Sequence, residues 1–313
     1  MRRPMRVVIV GAGLSGLVAA HELQAAGAEV SVVEKGRSPG GRLATRRIGA
    51  ATLDHGAQFL TVRTPTFQRR VDDWIDRGLL TVWSHGFGSA EAHPRFVARA
   101  GMNSLARDLA VGLDVSCSTR ASAVGRRGSQ WQVVVDDGSV RIADRVVVAT
   151  PLPQASELLA GIDLDDRLMR TDYDRTIALL ATLDRPPGID PPGGVQRPND
   201  DVSFVADNVA KGVSATPAIT LHASAAWSET HWEQDDADLL APLVDLAGPW
   251  LGSATILEAQ VKKWRFATPR TSWPDPCWVS ADGGVALAGD AFDGPRIEAA
   301  HNSGFAAAHS LLG

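Results

Sequence analysis

Short apolar runs and one stretch of helical spacing, punctuated by glycine, organise the first forty residues. Residues 5–10 (MRVVIV) are apolar and β-branched, which predicts a strand buried on both faces. Gly11-Ala12-Gly13-Leu14-Ser15-Gly16 follows at once. Apolar positions then recur at Leu14, Leu17, Val18, Leu23 and Ala26, the spacing of a helix, and Gly27 supplies its C-terminal stop. Residues 29–34 (EVSVVE) predict a second strand. Strand, glycine turn, helix and strand make one βαβ unit of about thirty residues.

Further on, residues 130–135 alternate as a strand does, and Asp137-Gly138 reads as a hairpin turn. Residues 146–149 are another buried strand, halted by Pro151 and Pro153. Five prolines with Gly188, Gly193 and Gly194 mark 185–198 as a long surface connection. Residues 285–288 form a last strand, followed by Gly289-Asp290 and a helix from about 296 to 312. No internal repeat is visible. Arg2, Arg3 and the apolar stretch 7–20 mimic a secretory signal. Cleavage there would remove the first strand and the glycine turn, so the segment reads as part of the fold.

Composition narrows the classes. The 313 residues are 44% hydrophobic and 21% charged, enough for one large domain or two intimately joined ones. A net charge of −5 argues against a nucleic-acid binder. Cys117 and Cys277 are the two cysteines, too few and too distant for a disulfide scaffold or a Cys-type zinc site. They fit a reducing, cytoplasmic setting. No apolar run reaches the ~18–20 residues of a membrane helix. Charge is unevenly spread: residues 153–261 hold 6 basic and 18 acidic side chains, a net of −12 against +7 for the rest.

The glycine turn carries the clearest chemistry. Gly11 permits a tight turn, Gly13 a close approach to a pyrophosphate, and Gly16 close packing of helix on strand. Leu14, Ser15 and Gly16 open the helix whose positive end faces the phosphates. Glu34, 23 residues after Gly11, stands where a carboxylate accepts ribose hydroxyls. Two features favour FAD over NAD. Gly40-Gly41-Arg42 joins a flexible backbone to a fork-shaped cation suited to phosphate. Gly289-Asp290 precedes a helix that would aim its positive end at the flavin edge where reduction places negative charge. Other chemistry is poorly served. Gly36-Arg37-Ser38-Pro39-Gly40 spells a nucleophile elbow, but Pro39-Gly40-Gly41 follows where a helix is needed. There is no HExxH and no metal-type histidine spacing, so no metal site is expected. Adjacent Asp54 and His55 read as a polar turn rather than a dyad.

The chain resembles renalase and its bacterial relatives, within the FAD amine-oxidase type. The resemblance rests on GAGLSG (11–16), GGRLATR (40–46), LDHGAQFLT (53–61), ARAGMNSL (98–105), VVVATPLP (146–153), VSFVADN (202–208), LHASAAWS (221–228), KKWRFA (262–267) and AGDAFDGPRIEAAHNSG (288–304). It implies non-covalent FAD and oxidation of isomeric, off-pathway dihydronicotinamide dinucleotides, with O2 reduced to hydrogen peroxide. No obligatory acid–base residue is then expected, because loss of hydride leaves an aromatic pyridinium. Carried over position by position, Gly11, Gly13, Gly16, Glu34 and Lys35 would hold the ADP half. Arg42 would lie over the pyrophosphate beside Gly41, and the backbone of Ala121 would meet adenine. Gly56, Ala57, Gln58, Asp290, Arg296 and Ile297 would lie beside the isoalloxazine. His222 and Trp227 would be near the substrate, whereas Trp264 reads better as a packed core indole.

The expected architecture is α/β: a Rossmann-like FAD-binding domain (1–82, 100–152 and 262–313) with an inserted α+β substrate domain (83–99 and 153–261) containing a mixed sheet. The expected partners are a small-molecule dihydronicotinamide and O2, with neither nucleic acid nor membrane. A flavin amine oxidase is the rival enzyme, although Tyr173 is the single tyrosine and cannot form a two-tyrosine cage. A flavin-binding protein without turnover is the third reading.

Overall fold

The computed structural model describes residues 3–87 and 93–313, so part of the expected segment 83–99 lies outside the described residues. The chain divides into two compact units. The first comprises 1–41, 105–172 and 269–313. Its six-stranded sheet runs in the order Trp278–Val279, Val285–Leu287, Arg145–Val148, Arg6–Val10, Glu29–Val33, Asp114–Ser116. All neighbours are parallel except the antiparallel edge strand Trp278–Val279, which makes the sheet mixed. Arg6–Val10 sits inside the sheet, in register with Arg145–Val148 (Val8 opposite Val146) and Glu29–Val33 (Val8 opposite Ser31). That double pairing buries both its faces, as its unbroken apolar run requires.

Helix Leu14–Ala25 is buried along most of its length and packs on helix Ile297–Leu312. The two approach so closely that a Cβ on Gly304 would stand 2.1 Å from the Ser15 carbonyl oxygen. Strands Ala121–Arg127, Gln130–Val135 and Val140–Ala143 form a separate antiparallel sheet, the last two joined by a turn with Gly138 at φ +82°.

The second unit comprises 42–104 and 173–268. Its five-stranded sheet runs Gly194–Gln196, Val202–Asp207, Ala218–Ala223, Tyr173–Leu183, Ile256–Pro269, and the first four pair antiparallel. Period-two alternation divides its faces. Ile177, Leu179, Ala181, Ile219 and Leu221 pack with Leu239, Leu243 and Ala247 of helix Asp236–Leu251. On the other face Leu180 and Ala218 meet Ile48, Ala51 and Leu53 of the hairpin formed by Thr45–Ile48 and Ala51–Asp54. This apolar seam draws residues 42–82 into the second unit, although the sequence associates them with the nucleotide-binding segments.

The proline-rich stretch 185–198 is not wholly a surface connection. Gly194–Gln196 forms an edge strand under an aromatic cluster, and a Cβ on Gly194 would stand 2.5 Å from the Phe87 ring and 2.9 Å from the Trp83 ring. A glycine there lets backbone and rings share the space. Pattern alone cannot show this, because the rings come from a distant segment.

Candidate functional site

In the first unit, strand Arg6–Val10 delivers the chain into Gly11, whose φ of +103° is left-handed and whose amide donates to the Val33 carbonyl at 2.8 Å. A Cβ on Gly16 would lie 2.0 Å from the Gly11 carbonyl oxygen, so no side chain fits. Gly13 is the opposite case, for a Cβ there would meet nothing within 4 Å. Its bare backbone faces open space at the start of helix Leu14–Ala25, which has no side-chain cap. The first amides and the positive end of the dipole are left for an anion. A second glycine turn closes in, with Gly40 N donating to Ala12 O at 2.8 Å and a Cβ on Gly41 3.5 Å from Gly13 Cα. Leu14 and Ser15 are buried behind the turn.

Glu34 is buried at the end of its strand. Its Oε2 accepts from Ala12 N at 2.8 Å and its Oε1 from Gly36 N at 2.6 Å. These bonds fix the carboxylate beside the glycine turn, and each oxygen keeps a lone pair for a hydroxyl. Lys35 is exposed and donates to Gln154 Oε1 at 3.3 Å. Ala121 begins its strand next to a β-bulge. Thr150 adds a group the sequence does not announce. Its methyl lies 3.5 Å from a Cβ built on Gly11, and its hydroxyl is buried without a hydrogen-bond partner.

At the other end of the chain, Gly289 and Asp290 form a turn after strand Val285–Leu287, with Gly289 N donating to Ser303 Oγ at 2.9 Å. Arg296 is the N-terminal cap position of helix Ile297–Leu312, again without a side-chain cap. It donates from Nη2 to Asp293 O at 2.9 Å, while its buried Nε has no partner. Orphaned polar atoms at Thr150 and Arg296 and the open backbone at Gly13 are what a phosphate-bearing nucleotide would satisfy.

The second unit holds a buried polar cluster. Asp54 and Lys211 form an ion pair of 2.9 Å with both side chains fully inaccessible. Asp54 Oδ1 also accepts from Thr45 Oγ1 at 2.6 Å and Met102 N at 2.8 Å. Lys211 Nζ donates to Gln58 Oε1 at 3.1 Å and lies 5.4 Å from the Trp83 ring centroid. Gln58 Nε2 is directed at Asp54 O (2.8 Å), Gly56 O (3.1 Å) and His222 Nε2 (3.4 Å). Burial and the Lys211 charge push His222 down to about 4. Burial, Lys262, His222 and Arg46 push His55 down to about 3. Burial pushes the Lys211 ammonium down and Asp54 opposes it.

Asp54 and His55 therefore diverge: one enters the ion pair, the other stacks on Trp264 with centroids 5.3 Å apart. Trp264 is half-buried rather than a core indole, and its Nε1 donates to His55 O at 2.7 Å. Arg42 donates to Phe266 O (3.4 Å) and Ala267 O (3.3 Å), with its guanidinium 6.0 Å from the Tyr173 ring. A Cβ on Gly56 would meet Arg42 O at 2.0 Å, and Ala57 N donates to that oxygen at 2.8 Å. Trp227 is not with His222. It lies in the core on the side of helix Asp236–Leu251, stacked on His231 at 3.9 Å, because residues 219 and 221 face that core and 222 faces away. The Lys211–Asp54 pairing has no signal in the sequence, because it spans 157 positions and no spacing announces it.

Among the described residues no group of His, Cys, Asp or Glu could hold a metal ion, and no helix is long and apolar enough to cross a membrane.

A largely parallel sheet with a glycine turn between its first strand and first helix defines a Rossmann-type nucleotide-binding unit. A model of NAD(P)-binding Rossmann-like domains matches residues 9–77, and one of flavin containing amine oxidoreductases matches 77–312. The chain belongs to the flavin containing amine oxidoreductase family, and its cofactor is FAD. It is 45% identical over 74 residues to an L-amino-acid oxidase of Sistrurus catenatus edwardsii, and 40% over 76 residues to the flavin-dependent L-tryptophan oxidase of Lentzea aerocolonigenes. Each match covers 24% of this chain but only 14% and 16% of those relatives. Cyclohexylamine oxidase from Brevibacterium oxydans shares the fold at a TM-score of 0.74 and 14% identity. Putrescine oxidase bound to putrescine does so at 0.71 and 17%. In both, 99% of each chain is covered.

Proposed function

We propose that this protein is an FAD-dependent oxidase of isomeric dihydronicotinamide dinucleotides, of the renalase type. The ADP half of a non-covalent FAD belongs on the first unit's cradle, with Gly11, Gly13, Gly16, Glu34 and Thr150 around it. Asp290, Arg296 and Ile297 of that unit are assigned to the flavin. When bound, FAD supplies the two-electron acceptor that O2 reoxidises, releasing hydrogen peroxide.

One observation carries the substrate reading. The polar cluster of the second unit holds only weak bases: His55 and His222 are held at about 3 and about 4, and Asp54 is locked to Lys211 and two further donors. Such a set can orient a substrate and exclude water, and is poorly suited to a reaction that begins by taking a proton from carbon. A dihydropyridine asks for nothing more, since losing hydride leaves an aromatic ring.

The test is anaerobic mixing of the FAD-loaded protein with isomeric dihydronicotinamide dinucleotides, and separately with primary and secondary amines. Bleaching of the flavin by the dinucleotides alone is the expected result. Bleaching by amines alone would replace this reading with an amine oxidase, and bleaching by neither with a binding protein.

A further inference from the structure

The Asp54–Lys211 ion pair is a feature of the second unit that the packing of its sheet does not call for. A buried pair is commonly no more stabilising than apolar residues of equal volume, so its presence asks for another reason. Asp54 is immobilised by Thr45 and Met102 as well as by Lys211. The ammonium, which only donates, reaches Gln58 at 3.1 Å and so admits the oxygen end of that amide and rejects the NH2 end. With Oε1 placed, the two Nε2 hydrogens are shared among Asp54 O at 2.8 Å, Gly56 O at 3.1 Å and His222 Nε2 at 3.4 Å. An NH2 group also only donates. His222 Nε2 is thereby cast as an acceptor, which leaves the ring proton on Nδ1.

We infer that Lys211, anchored by Asp54, is a positioning residue that sets the orientation of the Gln58 amide and through it holds His222 as the neutral Nδ1–H form. The relay explains why an ion pair is kept in a place where apolar residues would pack. It also gives Gln58 and His222 one fixed donor–acceptor pattern. The groups facing His222 are Lys211 and His55: the Lys211 charge opposes a second proton on the ring, the hydrogen bond to the His55 backbone favours one, and burial together with Lys211 prevails. The relevance of this pattern to substrate rests on the proposed function above; the pattern itself does not.

The test reads the 15N shifts of His222 in the FAD-loaded protein without substrate, assigned by difference from His222→Gln. The parent should show a pyrrole-type Nδ1 and a pyridine-type Nε2, with the Nδ1–H form in excess by about fivefold or more, the ratio given by one net hydrogen bond. Gln58→Glu keeps the side-chain size but removes both N–H donors, so Nε2 should acquire a proton. The double variant Asp54→Asn/Lys211→Met removes both charges and frees the Gln58 amide, so the excess should collapse to a mixture. A purely structural pair would lower stability in the double variant and leave its His222 shifts unchanged, which would overturn the inference. A parent with its proton on Nε2 would overturn it outright, with no variant required. Failure of the dihydronicotinamide reading would leave these spectra as expected, so the two ideas fall separately.

Discussion

Five residues apart in the chain, His222 and Trp227 serve opposite sides of the second unit's sheet: His222 faces Gln58, and Trp227 packs among Ile219, Leu221 and Leu239. The two substitutions should therefore separate stability from chemistry. Trp227→Ala leaves a core cavity and should cost about 3–5 kcal/mol of unfolding free energy. His222→Gln should hardly move the denaturant midpoint and should slow flavin reduction by less than about a hundredfold, the low end of general-base effects. A thousandfold loss with normal FAD content would make His222 an essential acid or base.

The fingerprint glycines divide into two kinds. Gly16→Ala forces a methyl into the Gly11 carbonyl and should destabilise even the FAD-free protein by about 1–3 kcal/mol. Gly13→Ala meets only open space, so the FAD-free protein should melt as the parent does while FAD occupancy falls. Melting curves with and without added FAD check both. Undiminished FAD binding by Gly13→Ala would remove the pyrophosphate from this turn.

Glu34→Ala removes two backbone hydrogen bonds and the carboxylate assigned to the ribose. FAD affinity should weaken by about 1–3 kcal/mol, the cost of a lost charged partner. Flavin retained through dialysis as firmly as in the parent would show the ribose to lie elsewhere.

Stability should fall in mild acid. Unfolded histidines titrate near 6.5, whereas His55 and His222 are held at about 3 and about 4 in the fold. Between those values the unfolded chain binds more protons, so stability rises with pH from about 4 to about 6.5 and then levels off. Each ring contributes at most about 1.4 kcal/mol per pH unit, less for the partly accessible His222. Urea midpoints across this range would show the slope, and a flat profile would mean that at least one ring gains a proton in the folded state.

Flavin should be released into the supernatant by acid precipitation. Burial pushes both the Cys117 and Cys277 thiols up, so neither is an activated thiolate suited to attachment. Yellow colour retained in the pellet would refute non-covalent binding.

The βαβ unit is legible from local pattern. Its strand, turn and helix are local, each dictated by neighbours within about thirty residues, and they form at Arg6–Val10, Leu14–Ala25 and Glu29–Val33. The hairpin around Gly138 and the C-terminal helix were legible for the same reason. Tertiary structure alone decided the rest. Residues 153–261 carry a net charge of −12, yet the compact second unit, which gains the basic segment 42–104 and residues 262–268 and loses 153–172, holds 16 basic and 18 acidic side chains, a net of −2. The field at a site follows from what packs together, so the charge of a sequence segment is not the charge of the unit it enters. The Asp54–Lys211 pair and the parting of His222 from Trp227 belong to the same category. Each depends on which segments a hydrophobic seam brings together, and that is a property of the whole core and not of any spacing along the chain.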